Sequence, residues 1–199
     1  MSLNNVHKYV MMVALLCGAS GMSAAAQADE GECEMMSSVK KIDYGRYRKE
    51  DMRQGAVEHV GKVYNGYASV TRELQVSVLC PDARKIRVYV DGAARQGMAY
   101  RFTDNGAMKI EFKDGRVDSS TVQLAAVDRG AVTPQGGGSQ VTLTPDKAVA
   151  AINGTEVAGE QFVATMMVTT YLSDKAFSVT NSTDLEEMLT LSFDTRPAQ

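Results

Sequence analysis

The chain has 199 residues, of which 44% are hydrophobic, with 17 glycines and no tryptophan. Its formal net charge is −3, from 21 basic and 24 acidic residues that are well mixed along the sequence. This length is enough for one sizeable core, and the absence of a basic run argues against nucleic acid as a partner.

The first 28 residues have the pattern of a secretory signal peptide. Lys8 supplies a short positive region, residues 9–18 are mostly apolar, and Ala26-Gln27-Ala28 matches the small-x-small motif that precedes a cleavage site. The apolar run is too short to span a bilayer. Cleavage between Ala28 and Asp29 would leave a single domain at residues 29–199, and the loss of Lys8 would bring the net charge from −3 to −4.

Removal of this leader also takes away Cys17 and leaves two cysteines, Cys33 and Cys80. An even pair of cysteines in an exported chain predicts one disulfide bond. This bond would close a loop of 47 residues and stabilise the fold by about 4 kcal/mol in the chain-entropy model. Two free buried thiols are the alternative, which an oxidising compartment disfavours.

The clearest strand pattern lies at residues 74–92, where apolar residues occupy every second position on both sides of Pro81. These residues are Leu74, Val76, Val78 and Cys80, followed by Ile86, Val88 and Val90. Because proline cannot donate a ladder hydrogen bond, a turn at Pro81-Asp82 is predicted to separate the two strands of a hairpin.

Turn dipeptides and alternating runs continue towards the carboxyl end. Hairpin turns are predicted at residues 104–106 and 114–115, and a flexible loop at residues 134–139. Residues 162–172 form an almost continuous apolar run, which predicts a central strand with both faces buried.

Three other stretches are less regular. Residues 46–66 are predicted to be a long connection with at most a short strand at residues 60–64. Residues 145–152 fit either one helical turn or an irregular crossing. Residues 184–188 follow a capping-box pattern that would start a helix, but the alternation just after them favours a strand.

Roughly eight or nine short strands, closely spaced turns and little helical periodicity predict an all-β, antiparallel sandwich of Ig-like architecture. The sequence contains no recognisable catalytic, metal-binding or cofactor-binding set. His59 is the one histidine after the leader and lies in a polar connection, and the glycines at 136–138 lack the lysine of a phosphate-binding loop. The sequence therefore predicts a protein that is not an enzyme and binds neither a metal nor a cofactor.

Three features make the chain resemble the subunits of bacterial chaperone–usher fimbriae. Cys33 is followed by Asp43-Tyr44-Gly45, Cys80 ends an alternating strand, and a late strand begins as Gly159-x-x-Phe162 and has a tyrosine, Tyr171, near its end. The resemblance covers most of the chain after the leader.

The resemblance implies an incomplete Ig-like sandwich that lacks its last strand. In this family the open groove is filled first by a periplasmic chaperone and then, after passage through an outer-membrane usher, by a strand of the neighbouring subunit. The implied location is the periplasm in transit and then the cell surface, where an adhesive subunit would also bind a host receptor. The residues expected to line the donor-strand groove are Ile42, Tyr44, Leu189, Leu191 and Phe193.

One departure from the family concerns the segment before Cys33. A polymerising subunit carries an alternating donor extension there, but only Asp29-Glu-Gly-Glu32 would remain after cleavage, and this segment has no apolar alternation. The chain is therefore expected to accept a strand without donating one, as a subunit at the tip of a fimbria would. The alternative is a secreted or periplasmic sandwich with a complete fold that binds a ligand on loops such as residues 46–66 or 134–139.

Overall fold

The computed structural model describes residues 32–59, 62–95, 99–134, 136–178 and 185–198. The predicted leader, its cleavage site between Ala28 and Asp29, and Asp184 lie outside these residues. Nothing is said of the side chains of residues 57–59 and 62. The backbone of His59 ends a strand and does not lie in the predicted connection.

The described elements are strands and two short 3-10 helices, and every strand pair is antiparallel. The 3-10 helices are Lys49–Asp51 and Asp174–Phe177. The strands are β1 (Glu34–Ser37), β2 (Arg53–His59), β3 (Lys62–Ala68), β4 (Arg72–Asp91), β5 (Ala94–Arg95), β6 (Ala99–Phe102), β7 (Gly106–Val117), β8 (Ser120–Thr121), β9 (Gln123–Asp128), β10 (Gln140–Leu143), β11 (Lys147–Asn153), β12 (Thr155–Glu156), β13 (Ala158–Leu172) and β14 (Thr190–Pro197).

The long strand β4 belongs to both layers of the predicted all-β sandwich. Residues 72–79 of β4 lie between β1 and β13 in the first layer, which continues to β7. Residues 84–91 pair with β14 and β11 in the second layer, which continues to β9. Apolar side chains from both halves of β4 belong to one buried cluster, so the two layers face each other across a single core.

The predicted disulfide bond is present and fixes the start of the first layer. Cys33, just before β1, is bonded to Cys80 in the middle of β4. The four residues of β1 then pair with β4, with Glu34 opposite Leu79. Alternation places Val76, Val78 and Cys80 in the core, as the sequence predicts.

The predicted hairpin at residues 74–92 is wrong, because this stretch is the single strand β4. Residues 80–83 have no ladder partner among the described residues. The pairings of β1 and β13 with β4 reach Leu79, and pairing with β13 and β14 begins again at Arg84. Pro81 lies in this gap, where β4 passes from one layer to the other. Its missing N–H therefore removes no ladder hydrogen bond.

Three other expectations also differ from the structure. Residues 46–66 are not one connection, because β2 and β3 form a hairpin joined to β13 through Tyr67 and Ala68. Residues 147–153 are the strand β11, paired with β9 and β4. The turn expected at residues 114–115 is an irregularity inside β7, where Asp114 has φ +54°.

The sequence allows either a helix or a strand at residues 184–188. The described part of this segment is neither. Residues 185–189 belong to no helix or strand and have no ladder partner in the described part of the chain, and β14 begins at Thr190. Their side chains nevertheless alternate in exposure, with Leu185, Glu187 and Leu189 more buried than Glu186 and Met188.

Candidate functional site: a groove between two unpaired segments

A groove of about 1380 Å³ lies over the inner face of the first layer. Its floor consists of core side chains from β4, β6, β7 and β13. These are Leu74, Phe102, Met108, Met166, Val168 and Leu172. The floor is thus entirely apolar and belongs to the same core that the two layers enclose.

Residues 39–47 form the first wall of the groove. Two tyrosines hold this wall to the end of β13: the Tyr44 hydroxyl donates to the Val168 carbonyl at 2.9 Å, and the Tyr47 hydroxyl shares a hydrogen bond of 2.8 Å with the Thr170 hydroxyl. Burial raises the pKa of both tyrosines above its usual value, so both hydroxyls stay protonated at neutral pH.

The two tyrosines also contact each other and the floor. Their rings are stacked with centroids 5.9 Å apart, and Tyr47 meets Phe102 edge to face at 6.3 Å. The guanidinium of Arg72 lies 5.8 Å from the Tyr44 ring. The first wall is therefore held by side chains and not by a strand ladder.

Residues 185–191 form the second wall. Leu185, Leu189 and Leu191 line the groove, and Glu187 binds the turn between β6 and β7. Across the groove, Lys41 of the first wall and Glu186 of the second form an ion pair of 3.8 Å, with both side chains more than 80% exposed. A pair this exposed contributes little to stability.

One end of the groove is closed by the second 3-10 helix. Ala176 and Phe177 line it there, and Phe177 meets Tyr67 of β3 edge to face at 5.7 Å. Lys49 reaches the same place, with its amino group 2.5 Å from an Asp174 carboxylate oxygen and 4.8 Å from the centre of the Tyr67 ring. This ion pair lowers the pKa of Asp174 and raises that of Lys49.

The main chains of both walls are free to pair with a strand. Within the described residues, neither residues 39–47 nor residues 185–189 have a backbone hydrogen bond to another strand. Each wall also directs alternate side chains inwards, for example Ile42 and Tyr44. Two such edges over an apolar floor are what an additional β-strand needs, because it could take main-chain hydrogen bonds from both sides and bury alternate side chains between them.

Four of the five residues predicted for this site line the groove. Ile42 and Tyr44 lie in the first wall, and Leu189 and Leu191 in the second. Phe193 does not line it, because it lies two residues further along β14, where it is half-buried against the core.

The sequence did not predict two residues that hold the walls of the groove, Glu187 and Tyr47. Glu187 is an acidic residue in an alternating run, where the pattern predicts an apolar inward residue. Tyr47 lies three residues after Tyr44, outside the period of two, because Gly45 has φ +68° and turns the chain there.

A second, smaller depression of about 420 Å³ lies on the outer face of the first layer. Its lining is polar except for one residue and comes from β4, β7 and β13 and the turn after β7. It consists of Gln75, Asp114, Arg116, Asp118, Ser119, Gln161, Val163 and Thr165. Asp118 is already engaged, because it accepts hydrogen bonds from the backbone N–H groups of Glu160 and Gln161.

The described residues contain no group of three or more His, Cys, Asp or Glu side chains placed to hold a metal ion. In the same part of the chain, none of the helices has the length and hydrophobicity of a membrane span.

The described residues form an all-β sandwich with an apolar-floored groove between residues 39–47 and 185–191. Comparison with protein-family models and with curated proteins gave no match. Among solved structures, the chain is similar to the P pilus rod subunit PapA, at 10% sequence identity over 82% of this chain and 99% of that one, with a TM-score of 0.41.

Proposed function

We propose that this chain is a structural or adhesive subunit of a surface fimbria and that its groove accepts a β-strand from another protein. The observation that supports this most directly is that residues 39–47 and 185–189 of the two walls, on either side of an apolar floor, have no strand beside them among the described residues. In the order that the family resemblance implies, a periplasmic chaperone fills the groove first and a neighbouring subunit replaces it at the outer-membrane usher. The role is not enzymatic.

A synthetic strand peptide tests the groove directly. The probe is a peptide of about 13 residues, enough for roughly 40 Å of strand, in which valine alternates with threonine and lysine. The control peptide has the same composition with the valines grouped at one end. At saturating concentration the alternating peptide should raise the Tm of the chain by about 5 to 10 °C, and the control should not.

A wall substitution shows whether the peptide binds in the groove. Ile42→Ser removes a half-buried side chain from the first wall and should weaken peptide binding. Val132→Ser is the matched control, because Val132 is 83% exposed and lies outside the groove. A chain that refolds reversibly as a stable monomer and is not stabilised by the peptide would contradict the proposal.

Co-expression with a candidate periplasmic chaperone tests whether a chaperone binds this chain. We expect a stoichiometric complex that the alternating peptide dissociates, since both would compete for the same edges. Recovery of the chain alone, with the chaperone unbound, would contradict this part of the proposal.

The subunit would occupy the distal tip of the fimbria, because Asp29 to Glu32 lack the alternation of a donor strand. Mass spectrometry of the exported chain would locate the cleavage site, which we expect after Ala28. Immunogold labelling should then mark fimbrial ends; labels along the shaft would contradict the tip position.

A secreted or periplasmic binding module with a complete sandwich is the second candidate. The observation that favours it is the polar depression on the outer face of the first layer, where Gln75, Arg116 and Gln161 present hydrogen-bonding groups to solvent. Glycan-array binding that Arg116→Ala abolishes and Ile42→Ser leaves unchanged would support this candidate over the fimbrial one.

A further inference from the structure

The second wall extends beyond the strand that supports β14. Thr190, the first residue of β14, pairs with Asp91, the last residue of β4. Residues 185–189 therefore project past the end of β4 without a strand beside them in the described part of the chain. Their position depends on side-chain contacts.

Leu189 and Glu187 make the closest contacts of this segment, beside the exposed Lys41–Glu186 ion pair and the packing of Leu185 against the core. Leu189 packs so closely over Gly92 that a Cβ at Gly92 would lie 2.6 Å from the Leu189 Cδ2 atom. Glu187 accepts a hydrogen bond from the backbone N–H of Thr103 at 2.9 Å and another from the Arg101 guanidinium at 3.3 Å.

The Glu187 contact differs from an ordinary surface ion pair in burial and geometry. The Glu187 side chain is 13% exposed, whereas that of its neighbour Glu186 is 82% exposed. Thr103 has φ +56°, a conformation that non-glycine residues seldom adopt, in the turn between β6 and β7. A charged acceptor on the N–H of Thr103 makes a charge-assisted hydrogen bond, which is stronger than one between neutral groups.

We propose that Glu187 is the positioning residue for strand binding, because it fixes residues 185–189 in an extended conformation before a partner arrives. This inference rests on the proposed function of the groove. With Glu187 bound at Thr103, Leu185 and Leu189 face the groove and the main chain of the wall stays available for pairing. Without it, the partner strand would have to order this segment as it binds, at a cost in conformational entropy.

The test compares Glu187→Ala with Glu160→Ala, which removes the same charge from an exposed position of β13 outside the groove. The probe is the alternating valine peptide, labelled with a fluorophore and released by an excess of unlabelled peptide. Release from E187A should be about tenfold faster than from the unmodified chain, and release from E160A should change by less than about twofold. Glu187→Gln keeps an acceptor for the Thr103 N–H and should fall between them.

Hydrogen exchange separates positioning from general destabilisation. In the E187A complex the amides of residues 185–189 should exchange faster, while those of residues 190–193 keep their protection. Faster exchange across the whole of β14 would overturn the inference, as would equal release rates for E187A and E160A.

The proposed function can fail separately. If the unmodified chain binds no peptide, the groove is not a strand acceptor, and the positioning role falls with it. If the peptide binds but E187A releases it at the rate of the unmodified chain, only the role of Glu187 is overturned.

Discussion

Arg87 illustrates how one buried charge can join distant segments. Its guanidinium binds both carboxylate oxygens of Glu156, at 2.9 and 2.8 Å, and donates to the carbonyls of Ala131 and Val132. Arg87 is fully buried and the Glu156 side chain is 6% exposed. The Glu156 carboxylate and the two carbonyls accept the hydrogen bonds of the Arg87 guanidinium, which lies on the outer face of the second layer.

Replacing Arg87 by methionine should lower the free energy of unfolding by about 3–5 kcal/mol, because the Glu156 carboxylate would remain buried without a partner. Urea unfolding would measure the loss. Arg84→Met is the matched control, since Arg84 is 35% exposed and pairs with the exposed Asp82, so it should cost less than about 1 kcal/mol. Equal losses for the two variants would contradict the prediction.

Alternation alone does not predict the burial of Arg87. It places Arg87 on the face of β4 opposite Val88, which the sequence predicts to face water. The carbonyls of Ala131 and Val132 cover it, and they lie more than forty residues away in the sequence. A contact between residues so far apart in the sequence cannot be predicted from local periodicity.

Among the elements, the hairpin of β2 and β3 is attached by a close backbone approach. Gly66 of β3 lies against β13, where an added Cβ would be 2.9 Å from the Leu172 carbonyl oxygen. A Cβ at its cross-strand partner Gly55 would meet only side chains, the Tyr171 ring at 3.2 Å and the Ala68 Cβ atom at 3.4 Å. The first contact is with backbone and cannot yield, whereas an aromatic side chain can shift slightly.

Gly66→Ala should therefore destabilise the chain by about 1–3 kcal/mol, and Gly55→Ala by less. Differential scanning calorimetry would compare the two. Hydrogen exchange in G66A should rise first at Tyr67 and Ala68, where β3 joins β13. A larger loss for G55A than for G66A would show that this approach does not hold the hairpin in place.

The strands that the sequence predicts best are those with an uninterrupted apolar pattern. The run at residues 162–172 is the core of β13, and the turn at residues 104–106 joins β6 to β7. The hairpin of β2 and β3 was missed because Asn65-Gly66 has the composition of a turn. A glycine is required at position 66 because a side chain there would collide with the backbone of Leu172. This reason is visible only in the structure.

At the scale of the whole molecule, the disulfide between Cys33 and Cys80 closes a loop of 47 residues that contains the first wall of the groove. Cys33→Ser combined with Cys80→Ser should lower stability by about 4 kcal/mol, because the unfolded chain regains the entropy of that loop. Urea unfolding with and without a reducing agent would measure it. The reducing agent should lower the urea midpoint of the unmodified chain only. A double variant with the same midpoint as the oxidised, unmodified chain would contradict the prediction.

The candidate site could be approached from sequence only through resemblance to a family. Ile42 and Leu189 are separated by almost the whole domain, and no spacing rule brings them together. The structure places both beside the floor of one groove, because β1 starts the first layer and β14 ends the second. The role of Glu187 was not predictable, since it depends on the conformation of Thr103.

The position of the disulfide also determines how the domain would carry a mechanical load. Tension applied to the chain at residue 32 enters at Cys33 and crosses the sulfur atoms to Cys80, in the middle of β4. The four residue pairs between β1 and β4 lie outside this path and bear no force while the bond is intact. A pull from the amino end is therefore transmitted to the strand that both layers share, and β1 cannot be peeled away until the disulfide is reduced.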